Sequence, residues 1–273
     1  MRRKLHDKHA GQLLFNIFYE PSTRTRLSFD AAAQYLGMRV ATTENAGEFS
    51  SSSKGETLED SIRVLNEYYP KAIVLRHHET GAAELAARVS NVPIINAGDG
   101  KGEHPTQALL DTYTIFKKFD RLSDLTIVAG GDLKHGRTVR SLVKLLANYK
   151  NNRFIFVSTP ELGMGQDILT LLKRKNITYS ETHTMEKAFK GADVVYWTRL
   201  QKERLDGLKI LRESFVIDNN SLKDLPKDAI IMHPLPRVGE ILPEVDNDKR
   251  ATYFKQASNG MFIRMALLDY ILV

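Results

Sequence analysis

None of the 273 residues is cysteine. Disulfides, thiolate nucleophiles and thiolate metal ligands are excluded together, and the redox compartment is left unmarked. No apolar run reaches the roughly eighteen residues of a membrane span. The start, MRRKLHDKHAGQ, lacks the apolar centre and small-residue cleavage site of a signal peptide. A cytoplasmic protein without membrane association is expected. Internal repeats are absent, and low complexity is confined to Ser50 to Ser53. Nor is there an aromatic and basic motif of the kind that stacks bases. The net charge of +6 comes from 39 Lys and Arg against 33 Asp and Glu, dispersed among one another outside MRRKLHDKH. That dispersal argues against nucleic acid, and an anionic small molecule explains the excess at least as well.

The hydrophobic content of 42% supports a substantial core. Short apolar runs rich in β-branched residues (LLFNIFY, AIVLRHH, VPIINAG, LTIVAGG, RFIFVST, VVYWTR, SFVID, AIIMHP) alternate with helical patterns (LSFDAAAQYLG, TLEDSIRVLNEY, GAAELAARVS, TVRSLVKLLANYK, ILTLLKRKN). This is the βαβ rhythm of an α/β protein with parallel sheets covered by helices. HPTQALLDTYTIFKKFDRLSD reads as one long helix and a polar turn. The domain junction is placed there, giving domains over 1–105 and 106–259, the first completed by a C-terminal helix near 260–273.

The run FYEPSTRTRLSF packs hydroxyls and guanidiniums between a strand and a helix. Pro21 suits a helix start, Ser22, Thr23 and Thr25 are cap candidates, and unpaired helix N–H groups suit a phosphate. Arg24 and Arg26 add permanent charge and forked donors. A capped helix with two surface arginines is the ordinary reading of an isolated Ser/Thr-Arg pair; five alternating residues outweigh it. SSSSKGETLED places Ser50 and Lys54 ahead of a helix beginning near Thr57, either as a solvated linker or as a loop reaching an anion. Arg76 ends a strand, where ligands of open parallel sheets collect. His77 and His78 are expected on opposite faces of an extended segment, which argues against a metal site.

AGDGKGEHPTQALLD leads into His104, Pro105 and Gln107 at a helix start. The local potential there favours a neutral imidazole able to donate to a carbonyl. GGDLKHGRTVRSL, with Gly130, Gly131 and Gly136, has the wrong spacing for a dinucleotide fingerprint, but sets Arg137 at a helix entrance. VVYWTRLQKERLD puts Arg199 and Gln201 just past a strand, and two loop arginines suit a dicarboxylate. In IIMHPLPRVGEI, Pro234 and Pro236 remove backbone donors around Leu235, a setting in which cis X-Pro bonds occur. Pro234 and Leu235 are then carbonyl acceptors for an NH2 group.

STRTR, KGET, HPTQ, DLKHGRT, TR-x-QKERLD and HPLPR, in this order from about Leu14 to the C-terminus, resemble the catalytic chains of the aspartate carbamoyltransferase family. The resemblance implies two domains with the active site in the cleft between them. It implies transfer of a carbamoyl group from carbamoyl phosphate to L-aspartate in pyrimidine synthesis, without metal or organic cofactor. Ser22, Thr23, Arg24 and Thr25 would hold the phosphate, and Thr25, Arg76 and His104 would polarise the carbonyl. Gln107, Pro234 and Leu235 would orient the carbamoyl NH2, while Arg137, Arg199 and Gln201 would bind the aspartate carboxylates. Ser50 and Lys54 would come from the adjacent subunit of a homotrimer, with regulatory chains as further candidate partners. Arg24, Thr25, Lys54, Arg76 and His104 form the catalytic set.

Two alternatives are a carbamoyltransferase for ornithine or another amine, and a binding module or inactive truncated relative. Ornithine-using relatives carry a cysteine in the late motif, where this chain reads HPLP. Family members usually have a helix before the first strand, and the closing helix also looks short. Exposed apolar surface and lowered stability are expected from that departure.

Overall fold

The computed structural model describes residues 7–49, 54–100, 102–199 and 215–272. The chain divides into two units, Met1–Thr106 with Ser258–Val273, and Gln107–Ala257. Every strand pairing in both sheets is parallel.

The first unit contains β1 (Leu13–Phe18), α1 (Thr23–Tyr35), β2 (Arg39–Glu44), α2 (Ala46–Phe49), α3 (Leu58–Asn66), β3 (Ala72–His77), α4 (Ala82–Val89) and β4 (Ile94–Asp99). Its sheet order is β2-β1-β3-β4. Because side chains alternate across a strand, β1 feeds two cores. Leu14 and Phe18 pack with Phe29, Ala33 and Leu268, whereas Phe15 and Ile17 pack with Ile62, Ile73 and Ala86. Asn16 is wholly buried on β1 and donates to Asp30 Oδ1 at 2.7 Å and to the Arg26 carbonyl at 3.2 Å. This polar staple holds α1 in register over the sheet. At the far end of α1, the His9 N–H donates to the Leu36 carbonyl at 2.8 Å, and the His9 ring contacts Asp269 at 2.9 Å.

The second unit contains α5 (Pro105–Phe119, from Gln107), β5 (Thr126–Gly130), α6 (Arg137–Leu146), β6 (Arg153–Val157), α7 (Gln166–Arg174), β7 (Thr178–Thr182), α8 (Met185–Phe189), β8 (Val194–Trp197) and β9 (Ile230–Met232). Its order is β7-β6-β5-β8-β9. Again each central strand serves two cores: Ile127 and Ala129 face one, Val128 the other.

Three local expectations are corrected. SFVID forms no strand among the described residues, only a single bridge from Ile217 to Ile241. The closing helix, α9 (Tyr253–Ile271), has 19 residues and begins before 260. β2 and β7, which the apolar runs do not reveal, are the polar edge strands RVATTE and TYSET. An edge strand with one side to solvent loses the apolar signature.

Candidate functional site

In the first unit the chain runs from β1 outward to β2 and returns to the other side of β1 as β3. The connections therefore diverge between β1 and β3, and crevices at such reversals receive ligands at the carboxyl ends of the strands. Phe18 pairs with Arg76 across this point, and the Tyr19 N–H donates to the Arg76 carbonyl at 2.8 Å. The sheet register itself thus sets the Tyr19–Ser22 turn and the start of α1 beside Arg76.

Arg76 is 7% exposed and pairs with Glu20 Oε2 at 2.9 Å. Thr23 and Arg24 are exposed in the first turn of α1 and Thr25 is buried there, with no acidic residue in that turn to oppose an anion. Partial burial lowers the Arg24 guanidinium below its ordinary value without threatening its charge. Two expectations fail here. Ser22 is the N-cap residue, but its hydroxyl makes no cap bond; instead its N–H donates to Glu44 Oε1 at 3.0 Å. Arg26 turns to Glu44 and Asp30, at 3.4 and 3.5 Å, and braces α1 against β2.

His77 and His78 do not point apart. The strand ends at His77, and the bend that follows stacks the two rings 4.3 Å apart. The His77 imidazole is lowered, first by burial and then by its neighbour. Among the described residues no group of three His, Cys, Asp or Glu side chains is placed to hold a metal.

The loop before His104 is organised by Asp99, whose carboxylate accepts from the Gly81 N–H at 2.9 Å and the Glu103 N–H at 3.1 Å. Gly100 is required in it, because its φ is +46° and a Cβ would stand 2.6 Å from the His78 carbonyl. His104 is 4% exposed and immediately precedes α5. Lys54 is exposed, and Ser50 lies outside the described residues.

The second unit repeats the reversal, between β5 and β8. Gly130 pairs with Trp197, and the Thr198 N–H and hydroxyl both donate to the Gly130 carbonyl, at 2.9 and 3.0 Å. Gly131, with φ of +101°, lies where a Cβ would be 2.2 Å from the Thr198 carbonyl oxygen. Gly131, just after β5, therefore serves a close approach of two loops. Arg137 opens α6 behind Gly136, and half-buried Arg199 follows Thr198, so the two arginines flank the reversal. Gln201 lies outside the described residues.

The turn after β9 carries Pro234 and Leu235, both half-buried, with a cis bond between Leu235 and Pro236. Sequence reasoning missed what holds this turn. Asp111 is wholly buried and accepts from Gln107 Nε2 at 2.8 Å, Gln256 Nε2 at 2.6 Å and the Tyr196 hydroxyl at 2.8 Å. Gln256 Oε1 then accepts the His233 N–H at 2.9 Å. Burial first, and Asp111 after it, push the Tyr196 hydroxyl well above its ordinary value. The helical spacing of Gln107 and Asp111 was the available signal; Gln256 had none.

A cavity of ≈ 470 Å³ beyond β6 and β7 is lined by Lys134, Glu161, Glu181 and His183, among others, and by none of the predicted residues. Glu161 is held below its usual range by its own backbone N–H, the Thr159 hydroxyl and His183.

The carbamoyl-P binding domain of the aspartate/ornithine carbamoyltransferase family matches residues 1–117, and its Asp/Orn binding domain matches 123–271. The chloroplastic aspartate carbamoyltransferase of Arabidopsis thaliana is 52% identical over 267 residues, 96% of this chain and 68% of that protein. The aspartate carbamoyltransferase catalytic subunit of Clostridium novyi is 48% identical over 265 residues, 96% of this chain and 86% of that one. Aspartate transcarbamoylase from Trypanosoma cruzi, solved with carbamoyl phosphate and aspartate, superposes with a TM-score of 0.92 at 40% identity, over 98% of this chain and 86% of that one. The M. Jannaschii catalytic subunit gives 0.93 at 45% identity, over 99% and 88%. With both domains of the family matched in order along nearly the whole chain, this protein belongs to the aspartate/ornithine carbamoyltransferase family.

Proposed function

We propose that this protein transfers the carbamoyl group of carbamoyl phosphate to the amino group of L-aspartate, yielding N-carbamoyl-L-aspartate and phosphate, a step of pyrimidine synthesis. The observation that carries the reading is the Phe18–Arg76 register, which places the first turn of α1, with no acidic residue of its own, beside a buried arginine at a sheet reversal. In this reading Ser22, Thr23, Arg24 and Thr25 hold the phosphate. Arg76, Thr25 and His104 face the carbonyl oxygen, while Gln107 and the carbonyls of Pro234 and Leu235 accept from the carbamoyl NH2. Arg137 and Arg199, with Gln201, take the aspartate carboxylates.

Both substrates are anionic, and surrounding guanidiniums offset the cost of bringing them together. The amine attacks the carbonyl carbon, a C–N bond forms, the bond from that carbon to the phosphate oxygen breaks, and the phosphate departs carrying the proton the amine gives up. Negative charge develops on the carbonyl oxygen, where fixed donors act most strongly.

Aspartate is favoured over ornithine by the HPLPR motif and by relatives named for aspartate. A homotrimer in which Ser50 and Lys54 serve a neighbouring subunit belongs to the same reading, as does a cytoplasmic location. No helix among the described residues is long and apolar enough to cross a membrane. The plant relatives are chloroplastic. The test offers the purified protein carbamoyl phosphate with aspartate or with ornithine and measures the carbamoylated product. Carbamoyl-aspartate is expected, and carbamoylation of ornithine alone overturns the proposal.

A further inference from the structure

A carbamoyl NH2 group only donates, so its pocket has to present acceptors. A glutamine amide carries an acceptor and a donor of nearly equal size, and which of them faces a ligand has to be enforced by a neighbour. Asp111 supplies that enforcement, because a carboxylate offers acceptors alone. With Gln107 Nε2 donating to Asp111 Oδ1 at 2.8 Å, Gln107 Oε1 is the atom turned away from the carboxylate. Gln256 donates to the same oxygen at 2.6 Å, which commits Gln256 Oε1 to the His233 N–H at 2.9 Å.

The His-Pro-Leu-Pro turn is left without a backbone donor to offer. The Leu235 N–H is taken by His233 Nδ1 at 2.8 Å, and Pro234 and Pro236 have no N–H. Because Nδ1 accepts, the ring hydrogen is on Nε2 and donates to Glu240 Oε1 at 2.9 Å, while Glu240 Oε2 accepts the Val238 N–H at 2.9 Å. From 233 to 236 only carbonyls remain.

Building on the carbamoyl-transfer reading, we propose that Asp111 and Gln256 are positioning residues. They make this side of the carbamoyl pocket acceptor-only and so select carbamoyl phosphate against acyl phosphates that carry a methyl group or a carboxylate oxygen in place of NH2. The geometry fixes amide polarity at Gln107 directly and the donor-free turn through Gln256.

The test measures binding of two stable probes that differ only at that position, phosphonoacetamide and its methyl ketone, phosphonoacetone. The unaltered protein is expected to prefer the amide by about tenfold or more, the effect of two ordinary hydrogen bonds. Gln256→Met, nearly isosteric, frees the His233 N–H but leaves Asp111 to orient Gln107, and is expected to lower that preference about threefold while ketone affinity stays unchanged. Tyr196→Phe removes the donor on the other Asp111 oxygen and leaves both amides in place, so it keeps the preference and reports any general disturbance of the cluster. Asp111→Leu, where it folds, follows Gln256→Met.

The inference is overturned if Gln256→Met retains the preference, or if Tyr196→Phe loses it equally. Carbamoylation of ornithine alone, with the preference pattern intact, removes the aspartate reading and leaves this one standing. Failure of the unaltered protein to bind either probe sinks both.

Discussion

At the sheet reversal of the first unit the proposed phosphate-binding groups stand on regular structure: Arg76 lies within β3, and Thr23, Arg24 and Thr25 form the first turn of α1. In the second unit Arg137 opens a helix, but the other groups stand on loops. Arg199 follows Thr198 beyond β8, and Pro234 and Leu235 follow β9. The two regions accordingly spend their buried polar groups differently. In the first, Asn16 and Arg26 fasten α1 to the sheet, and the helix start comes ready-made. In the second, a glycine contact and the Asp111 cluster hold loops that lie beyond the strand ends. A helix terminus supplies charge complementarity wherever it occurs. A loop acquires a defined shape only from the side chains behind it.

The largest effect expected from this contrast is on activity in the first unit. Arg76→Gln should lower kcat/KM by about 10²–10³, the usual result of removing a preorganised donor from a developing oxyanion. Its melting temperature should fall little, because the strand and helix persist. Steady-state kinetics with a parallel thermal melt checks both, and a large melting loss would erase the contrast. In the second unit stability should respond more. Gly131→Ala adds a Cβ 2.2 Å from the Thr198 carbonyl at a φ of +101°, whereas Gly191→Ala at +79° meets nothing within 4 Å. The second change pays only for the left-handed backbone, about 1 kcal/mol. The first should cost at least about 2 kcal/mol, or several degrees in Tm. Equal losses would show that the close approach of the two loops is not the reason for glycine.

The smallest effect concerns pH. Burial acts to raise the Glu240 carboxyl, but hydrogen bonds from His233 and the Val238 N–H outweigh it, and the group ends below its reference value of 4.5. Its ionised form therefore stabilises the fold fully above that value, and the contribution disappears as pH falls through the lower folded value. Glu240→Gln should melt below the unaltered protein at neutral pH, and the gap should close under acid. A gap that stays constant with pH would remove the Glu240 carboxylate from the account of the turn.

Much of the architecture was open to reading along the chain. Buried central strands announced themselves as apolar runs, since both faces of β3 and β5 meet helices. The edge strands RVATTE and TYSET did not, because their exposed faces carry polar residues. SFVID has the composition of a strand yet makes one bridge, since composition cannot report whether a partner is available. Most of the candidate ligand-binding residues were likewise nameable, because phosphate and carboxylate demand cations and hydroxyls, which are conspicuous beside apolar runs. The stacked His77 and His78 and the unused Ser22 cap were not, as both depend on where a strand stops and which acid stands nearby.

Local composition settled the parallel α/β character and the chemistry on offer at each strand end, since apolar periodicity and side-chain charge are properties of neighbouring residues. Folding alone determined that Gln256, 145 positions from Asp111, shares its carboxylate oxygen with Gln107. The polarity of an amide depends on contacts between segments distant in the chain, and no reading of adjacent residues contains them.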